Sequence, residues 1–89
     1  MTYSILLTFD KVDVKRREFP RYERLQEVIA EISKKHKHFR ILSTHAIQIP
    51  LNIPLEQIGQ IVSLLGDGIQ YKYAIVSEDL AWFDTETNI

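Results

Sequence analysis

Tyr3, Ile5, Leu7 and Phe9 alternate with Ser4, Leu6, Thr8 and Asp10, and this period of two predicts a half-buried strand. The polar stretch 11–18 reads as a loop. Pro20 suits the first turn of a helix, where its missing N–H costs nothing. Tyr22, Leu25, Ile29 and Ile32, with Val28 beside them, continue as an apolar stripe at helical spacing. Lys34, Lys35 and His36 fall in the last turn, where cations complement the helix dipole. The β-rich run 39–51 reads either as one strand or as a short hairpin turning at Ser43 and Thr44, and the hairpin is preferred. Asn52-Ile53-Pro54 breaks that run and opens a second helix, striped by Leu55, Ile58, Ile61, Val62 and Leu65. Gly66 fits the left-handed position after its end. Asp67-Gly68 then turns the chain into a last strand, with Ile69, Tyr71, Tyr73 and Ile75 on one side, expected to face the core.

Strand, helix, two strands, helix, strand is the β-α-β-β-α-β order of the ferredoxin-like class, an α+β fold. Right-handed crossovers make the first and third strands central and place both helices on one face of a four-stranded antiparallel sheet. The other face then carries Leu6, Leu42, Ala46, Ala74 and Val76 among Ser4, Thr8, Arg40, Gln48 and Lys72. A surface of that kind marks an interface. Leu80, Ala81, Trp82 and Phe83 follow the last strand without an obvious place of their own. The expectation is one domain over 1–89, with 79–89 as a C-terminal extension, working as a homodimer.

Composition narrows the function. The chain of 89 residues is 45% hydrophobic, which fits a globular domain and argues against disorder. There are no cysteines, so disulfides, thiolate zinc sites and a cysteine nucleophile are excluded together. No basic-then-apolar leader opens the chain and no segment approaches a membrane span, so a cytoplasmic location is expected. A net charge of −1 means that any nucleic-acid surface must be a local patch. No glycine-rich phosphate loop, dinucleotide fingerprint or nucleophile elbow is present, which argues against a nucleotide-cofactor enzyme.

The topology sorts the charges into two poles. Asp10, Asp13, Lys15, Arg16 and Arg17 share the upper pole with Ser43, Thr44, His45 and Asp67, while 34–38 lie at the opposite end. A carboxylate at a strand end is able to bind Mg²⁺ through one or two oxygens, with water and phosphate completing the shell. Asp10 is placed for that, with Asp13 as a second ligand. Lys15, Arg16 and Arg17 would hold a phosphate backbone, and metal-activated water beside anchored phosphate is the minimum apparatus for phosphodiester hydrolysis. The bland alternative makes Asp10 a turn residue and the basic run a solvated loop. His45 opens the third strand beside the end of the first, as a general acid or base if it reaches a phosphate, and otherwise as turn chemistry. His36 and His38 read as surface residues near a helix end.

Thr8-Phe9-Asp10-Lys11-Val12-Asp13-Val14-Lys15-Arg16-Arg17 resembles the opening of the small CRISPR adaptation proteins, the second Cas protein of the spacer-integration complex. The virulence-associated ribonuclease D family and the SinR-like proteins share that fold. Ile41-Leu42-Ser43-Thr44-His45-Ala46-Ile47, the helix opening Leu55-Glu56-Gln57-Ile58, and Ala81-Trp82-Phe83 look most similar to the SinR-like group. The resemblance implies a homodimer, RNA or DNA as ligand and Mg²⁺-dependent endonuclease activity, with the proposed metal ligand falling on Asp10. The alternative is a non-catalytic interaction module, such as an antitoxin or phage accessory protein, which reuses the fold to bind a protein partner.

Overall fold

The structure, a computed structural model, describes residues 3–66 and 68–77. Its elements run β1 (Tyr3–Phe9), α1 (Phe19–Lys35), β2 (Arg40–Ser43), β3 (Ala46–Pro50), α2 (Leu55–Leu65) and β4 (Tyr71–Ser77). The strands form one sheet in the order β2-β3-β1-β4, with every neighbouring pair antiparallel. β1 and β3 are central, as the ferredoxin-like class requires. The run 39–51 is a hairpin, with its turn at Thr44 and His45 and a bulge between Ile41 and Ser43. The tail 79–89, including Leu80, Ala81, Trp82 and Phe83, lies outside the described residues, as does Asp67.

Leu7 and Phe9 of β1 and Ile47 and Ile49 of β3 meet Leu25, Val28, Ile29 and Ile32 of α1 and Ile61 and Leu65 of α2. Leu25 is completely buried. The α1 stripe is the one read from periodicity, whereas on α2 only Ile61 and Leu65 of the expected stripe are buried and Leu55 and Val62 are exposed; this burial holds the helices against the sheet. Val12, inside the loop 10–18, and Ile53 and Ile69, beside the two ends of α2, also join the core. Gly66 ends α2 with φ 53° and ψ −152°, a conformation for which glycine alone is suited, rather than the left-handed helical one.

One expectation about faces needs correction. Tyr71, Tyr73 and Ile75 do lie on the helix side of the sheet, opposite Phe9, Leu7 and Ile5. They are nevertheless exposed, at 42%, 69% and 62%, and are not core. The cause is layer geometry. α1 packs on α2 and on β2, so the helical layer sits over the β2-β3-β1 part of the sheet and leaves the edge strand β4 uncovered. On the other face Ser4, Leu6 and Thr8 register with Pro50, Gln48 and Ala46 on one side and with Val76, Ala74 and Lys72 on the other. Here Ser4 and Gln48 are buried, and the Gln48 amide donates to Ser4 Oγ at 2.8 Å. A buried polar pair demands such a bond, because each group left alone would cost about 1–3 kcal/mol. Exposed apolar side chains thus include Tyr71, Tyr73 and Ile75 on the helix side of β4, besides Leu42 of β2.

Candidate functional site

The upper pole is built where β1 hands over to the loop 10–18. The Phe9 N–H donates to the His45 carbonyl at 3.0 Å, and the Asp10 N–H donates to the Gln70 carbonyl at 2.9 Å. Asp10 thus continues the ladder one residue past the strand, with an exposed side chain. Strand alternation places that side chain on the side opposite Phe9. Asp13 is exposed but occupied: its Oδ1 accepts the Lys15 N–H at 2.9 Å and its carbonyl accepts the Arg16 N–H at 3.0 Å. This is an aspartate turn, the local chemistry for which the residue type is favoured. It throws Lys15, Arg16 and Arg17 outward, and all three are exposed.

Arg16 Nε lies 3.3 Å from Glu18 Oε2, just before α1 begins. Hydrogen bonding from its own backbone amide is the largest influence on the Glu18 carboxyl and lowers it below its ordinary value of 4.5. Partial burial opposes this, and Arg16 and Arg17 reinforce it. A carboxylate lowered by folding contributes stability above its unfolded pKa and loses it as pH falls through the folded value. Urea midpoints of the wild type and Glu18→Gln should therefore differ by a constant amount above about pH 5 and converge as pH falls below 4.5. A gap that stays the same down to pH 3 would contradict this role.

His45 is the residue whose surroundings differ most from a free turn histidine. Its Nε2 lies 3.0 Å from the Tyr22 hydroxyl and its Nδ1 3.0 Å from Thr44 Oγ1. The ring stands edge-on to Phe9 and roughly parallel to Tyr22, with centroids 6.0 and 6.3 Å apart. Gln26 Nε2 adds a hydrogen bond to the Thr44 carbonyl at 3.0 Å. Tyr22 and Gln26 of α1 thus clasp the β2–β3 turn. Both nitrogens of His45 are engaged within the fold, with the ring set against Phe9 and Tyr22. Neither Tyr22 nor Gln26 stood out in the sequence; the signal available was a polar tip on an otherwise apolar stripe, since a packed tyrosine hydroxyl needs a partner.

The fit to a divalent cation is limited in one chain. Among the described residues no three of His, Cys, Asp and Glu stand together as a ligand group. Asp13 Oδ1 accepts one backbone amide, and both Asp10 and Asp13 are exposed. Among the described residues no helix is long and apolar enough to cross a membrane. Compared with known proteins, the chain matches no protein-family model and no curated sequence.

Proposed function

We propose that the chain is a nucleic-acid-binding protein that grips phosphates with Lys15, Arg16 and Arg17. The observation that carries this reading is the Asp13 turn, which presents three consecutive cations to solvent in a chain whose net charge is −1. A slightly acidic molecule with a concentrated basic loop binds polyanions locally, through counterion release at that loop. RNA and DNA share that chemistry. Mg²⁺-dependent cleavage is the finer part of the proposal. A two-fold pairing that brings two copies of Asp10 together would place two carboxylates at one site. His45 is then a positioning residue that fixes the β2–β3 turn beside Asp10, rather than an acid or base.

The dimer has its own support in the exposed Tyr71, Tyr73 and Ile75 on an unpaired edge strand, an arrangement that proteins seldom leave bare. Sedimentation at micromolar concentration should give the mass of two chains; a single-chain mass would remove the shared-aspartate site. For cleavage, the expected result is Mg²⁺-dependent hydrolysis of RNA or DNA by the wild type. Asp10→Ala should lower it by about 100-fold or more while oligonucleotide binding persists. Undiminished cleavage by that variant would exclude Asp10 from the chemistry.

The same β4 surface favours a second reading, a non-catalytic module that docks a protein partner. It predicts no Mg²⁺-dependent cleavage at all, and binding that is lost in Tyr73→Ser but kept in Asp10→Ala.

A further inference from the structure

A second basic run stands at the other end of α1. Lys34-Lys35-His36-Lys37-His38 holds three lysines and two histidines with no acid among them. α1 ends at Lys35, and the chain turns through 36–39 into β2, which begins at Arg40. Lys34, Lys35, Lys37 and His38 are exposed, while Phe39 beside them is buried and fixes the turn to the core. Among the described residues, none of the three lysines makes an ion pair. Glu31, one turn earlier on α1, has Arg24 at 3.9 Å. Glu56, which opens α2 at this end of the fold, forms no ion pair with the lysines either. Cations in the last turn complement the helix dipole, but Lys37 and His38 lie past the helix, and the dipole does not account for them.

The spacing of the two basic runs follows from the helix between them. α1 has 17 residues, so its ends stand about 25 Å apart. The loop with Lys15, Arg16 and Arg17 precedes one end, and 34–38 leave the other. Along the exposed side of α1, Glu23, Glu27 and Glu31 are mixed with Arg21 and Arg24, and Arg24 pairs with Glu27 at 3.0 Å. The unpaired cations are thus gathered at the two ends.

We infer that 34–38 are a second phosphate contact, reached by the same single strand that Lys15, Arg16 and Arg17 hold. The inference rests on the proposed nucleic-acid function and gives it a length. At a stacked rise of about 3.4 Å per nucleotide, 25 Å takes about 7 nucleotides, within the range of about 4–16 for single-strand sites. Lysines are point charges on flexible stems, so this contact positions the strand by its phosphates without reading bases. Holding a strand at one end makes the second contact intramolecular, which raises affinity for any strand long enough to bridge.

The test measures affinity at 50 mM salt for a dinucleotide and for a single strand of about 12 nucleotides. The longer strand should bind the wild type about 100-fold more tightly than the dinucleotide. Lys34→Gln, Lys35→Gln and Lys37→Gln combined should weaken the longer strand about tenfold, with a salt slope shallower by about 2. The dinucleotide should stay within about twofold, because Lys15, Arg16 and Arg17 still hold it. A mere change in overall charge would lower both alike. Lys37→Gln with His38→Gln, both past the helix, should show the same selective loss and serves if the triple variant disturbs α1. If the longer strand binds the triple variant as it binds the wild type, while still depending on Lys15, Arg16 and Arg17, the second contact is overturned and the nucleic-acid reading stands. If neither strand binds the wild type, both fall.

Discussion

Leu25→Ala should destabilise the fold by about 3 kcal/mol, within the 2–5 kcal/mol typical of a large-to-small change at a buried site. Leu25 has no exposed surface and sits in the part of α1 that faces the sheet, beside Val28 and Ile29 and across from α2. Removing its side chain leaves a cavity that rigid neighbours on three sides cannot fill. Domains of this size are held by roughly 5–15 kcal/mol in total, so the variant should lose a large share of its stability and unfold at markedly lower urea. Leu55→Ala is the matched control, because Leu55 is 83% exposed and the same chemical change there should cost little. Equal midpoints for the two variants would mean that the core is not centred where the structure places it.

The difference between those two leucines shows what periodicity conveys. Both stand on apolar stripes, and spacing identifies the side of an element on which a residue lies. It does not say whether another layer covers that side. Leu25 is covered because α1 lies over the middle of the sheet. Tyr73 and Ile75 are not, because β4 is an edge and α2 stops short of it. Sheet order was readable because few topologies satisfy the crossover rules. Val12 was not readable as core, since a single apolar residue in a polar loop has no period.

The site was legible to a similar depth. Asp10 and the run from Lys15 to Arg17 lie in one short stretch of the chain, so their shared pole follows from one strand end. The Tyr22–His45 contact joins residues 23 positions apart on different elements. No local pattern records such a pairing.

Neutralising Lys15, Arg16 and Arg17 together as glutamines should cut affinity for an oligonucleotide by about 100-fold or more at 50 mM salt, with the fold intact. The substitutions fall on exposed side chains. Among the described residues they remove the Arg16–Glu18 contact and the attraction of Arg17 for the Glu18 carboxylate, and exposed ion pairs contribute roughly 0–1 kcal/mol. The loss should be similar for different base sequences, because cations on phosphates position a strand without reading it. A loss confined to one sequence would point instead to base contacts elsewhere on the surface.

The salt dependence of oligonucleotide binding tests the central claim most directly. Each phosphate contact adds about 0.7–0.9 to the slope of log affinity against log salt. Wild-type affinity should fall steeply as salt is raised, and the triple variant should show a slope shallower by about 2. Equal slopes for the two proteins, or no binding by the wild type at 50 mM salt, would contradict the assignment of this loop to nucleic acid.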